Sequence, residues 1–373
     1  FIKMGVDAFR IDTMKHISRL TFNKYYFPGI LEYAHRLGND NFFTFGEVAS
    51  RDENVWNHDV EPVSVPFYTW KESKTYNWGD KDTNFSSTEK HFGDHRGSRP
   101  TTNNAWLNGL NYHTPDHSMW NGNGMIDFQM HHAFRDVGNA FRAGRDNSKY
   151  FNDATYNVMY VDSHDYGPNT MEGVRFNLGS AEWAKRMNLM WTFRGIPCIY
   201  YGSEIEFQRG KPIDQWDAPL STTGRAYFGD HLSGSVTTTG FGTYSASSGN
   251  MQTTLNHTLA KHLQKLNQIR LAVPALRRGQ MNLDNASGNE TAFIRRYTSG
   301  GIDSLACVSV GGGASFRGLP NGRYIDLVSG NVINVTGGSL STGNISDTNL
   351  RVYVYDPSNS FTTAIGGSTT YLS

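Results

Sequence analysis

At 373 residues the chain can hold one large domain with a smaller companion, or two to three ordinary domains. Lys plus Arg (34) balances Asp plus Glu (34), so there is no electrostatic footprint for nucleic acid or an anionic membrane, and a neutral partner is expected. Cys198 and Cys307 stand outside any metal-type spacing, and no apolar run reaches the roughly 18 residues needed to span a bilayer.

The chain opens at Phe1-Ile-Lys-Met, already close to its most informative stretch, Gly5-Val-Asp-Ala-Phe-Arg10-Ile-Asp12-Thr-Met-Lys15-His16, and further protein is expected ahead of it. Read as a strand, Ala8, Arg10 and Asp12 point one way while Phe9 and Ile11 point the other. The neighbouring guanidinium should hold the Asp12 carboxylate ionised, which suits a nucleophile and not a general acid. A space-filling ion pair is the bland alternative, and the stretch alone does not decide between them.

Pro28-Gly-Ile-Leu-Glu-Tyr-Ala-His-Arg-Leu37 places Ile30, Leu31, Ala34 and Leu37 on one helical face, with Gly38 as the stop. Asn41-Phe-Phe-Thr-Phe-Gly-Glu47-Val48 then reads as a short strand ending in an acid, and strand, helix, strand implies a parallel sheet. Residues 51 to about 122 break the rhythm and read as a long insertion, in which Trp56, Tyr68, Trp70, Tyr76 and Trp78 read more readily as small-core residues than as stacking platforms. His113 and His117 flank Pro115, which spoils a helical metal spacing.

The rhythm resumes with Gly124-Met-Ile-Asp-Phe128 as a strand and a helix carrying Phe134, Val137 and Phe141. Tyr156 to Asp165 reads as a strand ending in a polar cluster, and a helix from Ser180 buries Trp183, Met187, Met190 and Trp191 before Gly195. Ile196 to Glu204 reads as a further strand with Cys198 as a small buried hydrophobe. A polar stretch at 217–252 leads to an amphipathic helix with Leu255, Leu259, Leu263, Leu266 and Ile269, stopped near Pro274. From about 279 the pattern changes to short strands at 292–298, 304–310, 323–328 and 350–355 separated by Gly, Asn and Ser turns. The expected organisation is α/β, with a β/α barrel portion at 1–278, a small antiparallel β-sandwich at 279–357 and a tail or linker at 358–373.

Asp12, Glu47 and Asp165 each finish a strand of one series, and active sites of β/α barrels lie at such ends. Glycosidic cleavage uses one carboxylate to attack the anomeric carbon and one acid to protonate the leaving oxygen, about 5–5.5 Å apart in retaining enzymes. Glu47 follows Phe42, Phe43 and Phe45, and desolvation there should favour the protonated form an acid needs. Asp165 with His164 would grip ring hydroxyls.

Gly5 to His16, Phe45-Gly-Glu47-Val48 and Val161-Asp-Ser163-His164-Asp165 resemble, in order, three signature regions of the α-amylase family of retaining α-glucoside hydrolases and transferases, on what would be barrel strands four, five and seven. Gly195-Ile-Pro-Cys-Ile-Tyr-Tyr-Gly202 is similar to its eighth-strand segment, and residues from about 280 on are placed like its C-terminal β-domain. The resemblance implies Asp12 as nucleophile, Glu47 as acid/base, Asp165 as the third carboxylate, Arg10 and His164 as site residues, and Lys15 and His16 on the aglycone side. It also implies a structural calcium ion taking the His16 carbonyl, an extracellular setting, and hydrolysis of α-1,4-linked starch-like glucans. The alternatives are a cyclodextrin-forming type of glucanotransferase and a non-catalytic glucan-binding fragment. Ser163 stands where the family usually has Asn, and the family's first signature region is not in this sequence. Five β/α units do not close an eight-stranded barrel, so the first three strands are expected from another chain or from protein outside this sequence.

Overall fold

The computed structural model describes residues 1–50, 65–71, 103–240 and 243–373. They form two compact units, the first from Phe1–Ala105, Thr114–Met130 and Arg142–Met159, the second from Trp106–His113, His131–Phe141 and Tyr160–Ser373. Trp56, Tyr76 and Trp78 lie outside the described residues. Among the described residues no helix is long and apolar enough to cross a membrane.

The first unit is built on a parallel sheet of β1 (Ala8–Ile11), β2 (Phe43–Gly46) and β3 (Asn123–Met125), in that order. Alternation sets the faces of β1: Ala8 and Arg10 are exposed, while Phe9 and Ile11 are half-buried. Phe9 meets Phe42 edge to face at 5.0 Å. The connection from β1 to β2 is helical over a longer stretch than the apolar face alone suggests. Ser18 caps it by accepting from Leu20 N at 3.3 Å, and a π-helical turn at Phe22–Tyr26 precedes the α-helix Phe27–Arg36. Pro28 offers no N–H and its ring crowds the carbonyl four residues back, so the widened turn lets helical backbone continue into it. Gly38, at φ 83°, takes the left-handed conformation that ends the helix. Tyr68 and Trp70 are buried, and Trp70 Nε1 donates to Tyr150 O at 2.8 Å, the small-core role expected of them.

Phe134, Val137 and Phe141, expected on one helix, fall at a break between the helices Phe128–Ala133 and Val137–Asn147. Asp136 starts the second by accepting from Asn139 N at 2.8 Å.

In the second unit the helix Ser180–Thr192 buries Trp183, Met187, Met190 and Trp191 as expected, each such side chain contributing roughly 1.5–3 kcal/mol. Its terminal carbonyls are met by guanidinium groups. Arg270 donates to Trp191 O and Gly195 O at 2.8 Å each, and Arg295 to Thr192 O at 3.0 Å. Cations at a helix C-terminus are where the backbone dipole favours them. The strand expected at 196–204 is only Ile196–Pro197, and Cys198 is exposed, correcting the buried-hydrophobe reading: the chain leaves the sheet after two residues. The polar stretch 217–252 contains an exposed antiparallel hairpin, Gly234–Gly240 with Thr243–Ser248. The long amphipathic helix runs Thr258–Ala272, and Pro274 opens a further short helix to Arg278 rather than ending the helical region.

The C-terminal strands form an antiparallel six-stranded sheet in the order Val332–Val335, Gly322–Asp326, Leu350–Tyr355, Ile302–Val310, Ala292–Ser299, Gln280–Asn282. A smaller sheet joins Ser339–Ser341, Ser315–Arg317 and Ala286–Ser287. Ile294, Leu305, Cys307, Tyr324 and Tyr353 from the first share one core with Phe316 and Leu340 from the second, which is the packing of a small sandwich. Residues after 357 are partly packed: Leu372 is buried and Ile365 N donates to Leu327 O at 2.9 Å.

Candidate active site

In the first unit the parallel register pairs Arg10 with Phe45, so Arg10, Asp12 and Glu47 emerge on one face at the ends of β1 and β2. Arg10 Nη1 donates to Asp12 Oδ1 at 2.5 Å, and Nη2 lies 3.3 Å from Glu47 Oε2. One guanidinium therefore serves both carboxyls. Their environments differ: the Asp12 side chain is 63% exposed and that of Glu47 only 8%. The Arg10 hydrogen bond, before any other cause, holds the Asp12 carboxyl below its usual range, as the sequence led us to expect.

A side-chain hydrogen bond between Glu47 and Asp12 acts in the same direction. Arg10 draws both carboxyls toward one guanidinium.

Backbone groups complete the pocket around Glu47. Its own N–H donates to Ile11 O at 2.9 Å, Met14 N donates to its carbonyl at 2.8 Å, and Thr13 N donates to Oε2 at 3.1 Å. Phe43 and Phe45, on the same face, stack at 5.7 Å. Lys15 Nζ donates to Ala49 O at 3.3 Å, and His16 is exposed at the end of a short 3-10 turn. Calcium takes 6–8 oxygen ligands. Among the described residues no three His, Cys, Asp or Glu side chains converge as a metal site. His117, considered with His113 from the sequence, pairs instead with Asp153 at 2.9 Å, and His113 Nε2 lies 3.1 Å from Trp106 O.

The strand expected over Tyr156–Asp165 is formed only at Val158–Met159. What holds the polar cluster is a turn: Ser163 Oγ accepts from the N–H groups of Asp165 and Tyr166, both at 3.1 Å. His164 Nε2 lies 3.0 Å from Asp165 Oδ2, bringing together the pair read from the sequence. Arg225, not singled out from the sequence, donates to Asp165 Oδ1 at 3.1 Å, to His164 O at 2.8 Å and to Asp214 Oδ2 at 2.9 Å. It sits in an irregular Gly- and Thr-rich segment, where no periodicity marks it. Beneath, buried Asp162 accepts from Arg175 Nε at 3.1 Å, Ser203 Oγ at 2.9 Å and Phe176 N at 3.1 Å. Burial pushes its carboxyl above the usual range against these stabilising contacts. The Arg175 guanidinium lies over the Tyr200 ring at 4.3 Å.

No family model matches the chain. A cyclomaltodextrin glucanotransferase of Klebsiella oxytoca is 26% identical over 209 residues, covering 55% of this chain and 27% of that protein. An α-amylase of Streptomyces lividans is 23% identical over 336 residues, covering 84% of this chain and 30% of that protein. The chain thus spans less than a third of the length of these curated relatives. Among solved structures, an Anoxybacillus α-amylase matches with a TM-score of 0.51 at 16% identity over 95% of this chain and 60% of its own. A Malbranchea cinnamomea α-amylase matches with a TM-score of 0.52 at 13% identity over 96% and 58%. Likeness at this identity speaks for the fold: that of α-amylase-type barrel enzymes with a C-terminal β-domain. Sequence relatives and structural neighbours converge on the α-amylase family of glycoside hydrolases and transferases, and this chain resembles a portion of its members.

Proposed function

We propose that the protein of which this chain is a part cleaves α-1,4-glucosidic bonds within starch-like glucans by a retaining double displacement. The observation that carries the reading is the Arg10-centred pair: an exposed Asp12 held ionised and a buried Glu47 beside it, at the ends of adjacent parallel strands. Asp12 Oδ attacks the anomeric carbon as the glycosidic C–O bond breaks, and Glu47 gives its proton to the departing oxygen. A water then surrenders a proton to Glu47 and attacks the same carbon, releasing Asp12 and the retained sugar. Asp165, held by Arg225 and His164, grips ring hydroxyls and stabilises the transition state, while Lys15 and His16 line the aglycone side. In this reading β1 and β2 are the fourth and fifth strands of an eight-stranded barrel, the segment ending at Asp165 the seventh, and 195–202 the eighth.

The test is product formation from maltoheptaose and soluble starch with wild type, E47Q and D12N. Loss of new reducing ends with an unchanged melting temperature supports the roles; substantial cleavage by E47Q refutes the acid. Glucanotransfer is the second reading, favoured by the Klebsiella relative, and is distinguished by cyclic or disproportionated products. Starch retention without turnover in the complete protein would instead mark a binding module. Calcium and an extracellular setting belong to the same proposal, and no step is routed through the ion. Its test is a rise in melting temperature on adding calcium that is reversed by a chelator.

A further inference from the structure

We propose that Arg175 is a positioning residue for cleavage: its buried guanidinium fixes both the turn that carries Asp165 and the segment whose Arg225 holds the Asp165 carboxylate. The proposal deepens the cleavage reading above and rests on it for the role of Asp165.

Strand structure stops short of this turn. The flanking strands end at Met159 and Pro197, so no ladder holds Asp165 or the segment after Tyr200. Arg175 supplies the anchor that the ladder does not. Its side chain donates from Nε to Asp162 Oδ2 at 3.1 Å, from Nη1 to Gly224 O at 3.0 Å, and from Nη2 to Tyr201 O and Ser203 Oγ, each at 3.0 Å. Three stretches of chain thus meet on one planar, forked group. Asp162 stands three residues before Asp165, and Gly224 immediately before Arg225, whose guanidinium reaches Asp165 Oδ1 at 3.1 Å. Asp165 is therefore held along its own chain and through Arg225, and both routes begin at Arg175.

The anchor is itself fixed. Arg175 N donates to Lys211 O at 2.9 Å, its carbonyl accepts from Gly210 N at 3.2 Å, and the Tyr200 ring covers the guanidinium at 4.3 Å. Ser203 Oγ, which accepts from Arg175, donates in turn to Asp162 Oδ1 at 2.9 Å and closes the network. Gly224 permits the close approach, since a Cβ there would lie 2.7 Å from Arg175 Cγ. Compensating the buried charge of Asp162 would require only the Nε contact. The remaining donors go to the neighbouring segments, which is the pattern of a group that sets geometry. For a carboxylate that acts in the transition state, a shift of about 1 Å can cost on the order of a hundredfold in rate.

The experiment measures kcat and KM on maltoheptaose, per folded molecule, for the complete protein as wild type, R175K and D165N, with thermal melts alongside. A lysine keeps the positive charge beside Asp162 but cannot span Asp162, Gly224 and Tyr201 at once. R175K is expected to lower kcat about thirtyfold with KM within about twofold of wild type, because the lost alignment matters in the transition state and not in substrate binding. A role in stability alone would lower the melting temperature and leave the kcat of folded molecules unchanged, and that result overturns the proposal. Where R175K does not fold, S203A takes its place, since it removes one hydroxyl and leaves both charges; it is expected to lower kcat about fivefold, and a wild-type kcat overturns the proposal. D165N separates the two readings. Cleavage by D165N at the wild-type rate refutes the role of Asp165 and the proposal with it, whereas an inactive D165N beside an R175K of wild-type kcat refutes only the positioning.

Discussion

Thr13 donates its backbone N–H to Oε2 of Glu47 at 3.1 Å from a left-handed conformation, φ 44° and ψ 40°. A β-branched residue there costs on the order of 1 kcal/mol or more. The turn is nevertheless what brings Thr13 N to the carboxyl and Met14 N to the Glu47 carbonyl, at 2.8 Å. The strained link sits at the one carboxyl assigned the proton.

T13N keeps the donor and suits the left-handed region, so its melting temperature should equal or exceed that of wild type, with cleavage retained. T13P removes the N–H and demands a negative φ, and should lower both melting temperature and rate, the latter at least about tenfold. Thermal melts and initial rates on maltoheptaose check this; a T13P variant of wild-type activity would remove Thr13 from the site.

Arg10 lowers the Asp12 pKa and so keeps its carboxyl ionised to lower pH. A nucleophile must be unprotonated, so a lowered pKa extends activity toward acid and the acid limb of kcat/KM lies low. Replacing Arg10 with Met removes the largest depressing cause and should move that limb to higher pH, besides reducing kcat. The pH midpoint is the measurement, since a merely structural lesion would lower the whole profile without shifting it. A midpoint that stays or falls contradicts the assignment.

The sequence made the strand alternation of Ala8, Phe9, Arg10 and Ile11 legible because one face of β1 is packed and the other is not. It made the Trp183 and Met187 stripe legible for the same reason, and the C-terminal strands because their inward residues fill a common core. It overextended the segments at 156–165 and 196–204, where apolar composition continues but ladder pairing stops and turns held by Ser163 and Gly202 take over. The hairpin at 234–248 was unreadable because it is exposed on both faces, leaving no period of two in its polarity. Arg225 escaped for a different reason: its partners Asp165 and Asp214 lie 60 and 11 residues away along the chain, outside any helix or strand period, and no local rule points from one to the other.

Asp326 anchors the turn between two strands of the six-stranded sheet. Its buried carboxylate accepts from Val328 N at 3.2 Å, Ser329 N at 3.0 Å, Ser329 Oγ at 2.5 Å and Val352 N at 2.8 Å. An amide in its place would turn an NH₂ group toward these donors. D326N should therefore cost about 2–3 kcal/mol, lowering the melting temperature by about 5–10 °C. D326A should cost at least as much, because it leaves every donor unpaired. A melt within about 1 °C of wild type for D326N would show that the turn does not depend on the charge.

His262 gives the second unit a built-in sensitivity to acid. It is fully buried on the helix Thr258–Ala272, with Tyr371 edge-on at 5.7 Å, and burial, ahead of repulsion from Lys265, lowers its pKa to about 3. In the unfolded chain an imidazole titrates near 6.5, so between these values the unfolded state binds the extra proton. Stability must then fall as pH drops from about 6.5 toward 3, by at most about 1.4 kcal/mol per pH unit from this group. H262L removes the titration while keeping an apolar side chain in the site. Between pH 7 and pH 4 the melting temperature of wild type should decline more steeply than that of H262L, whatever their offset at pH 7. Parallel curves would mean that the buried imidazole does not carry the acid sensitivity.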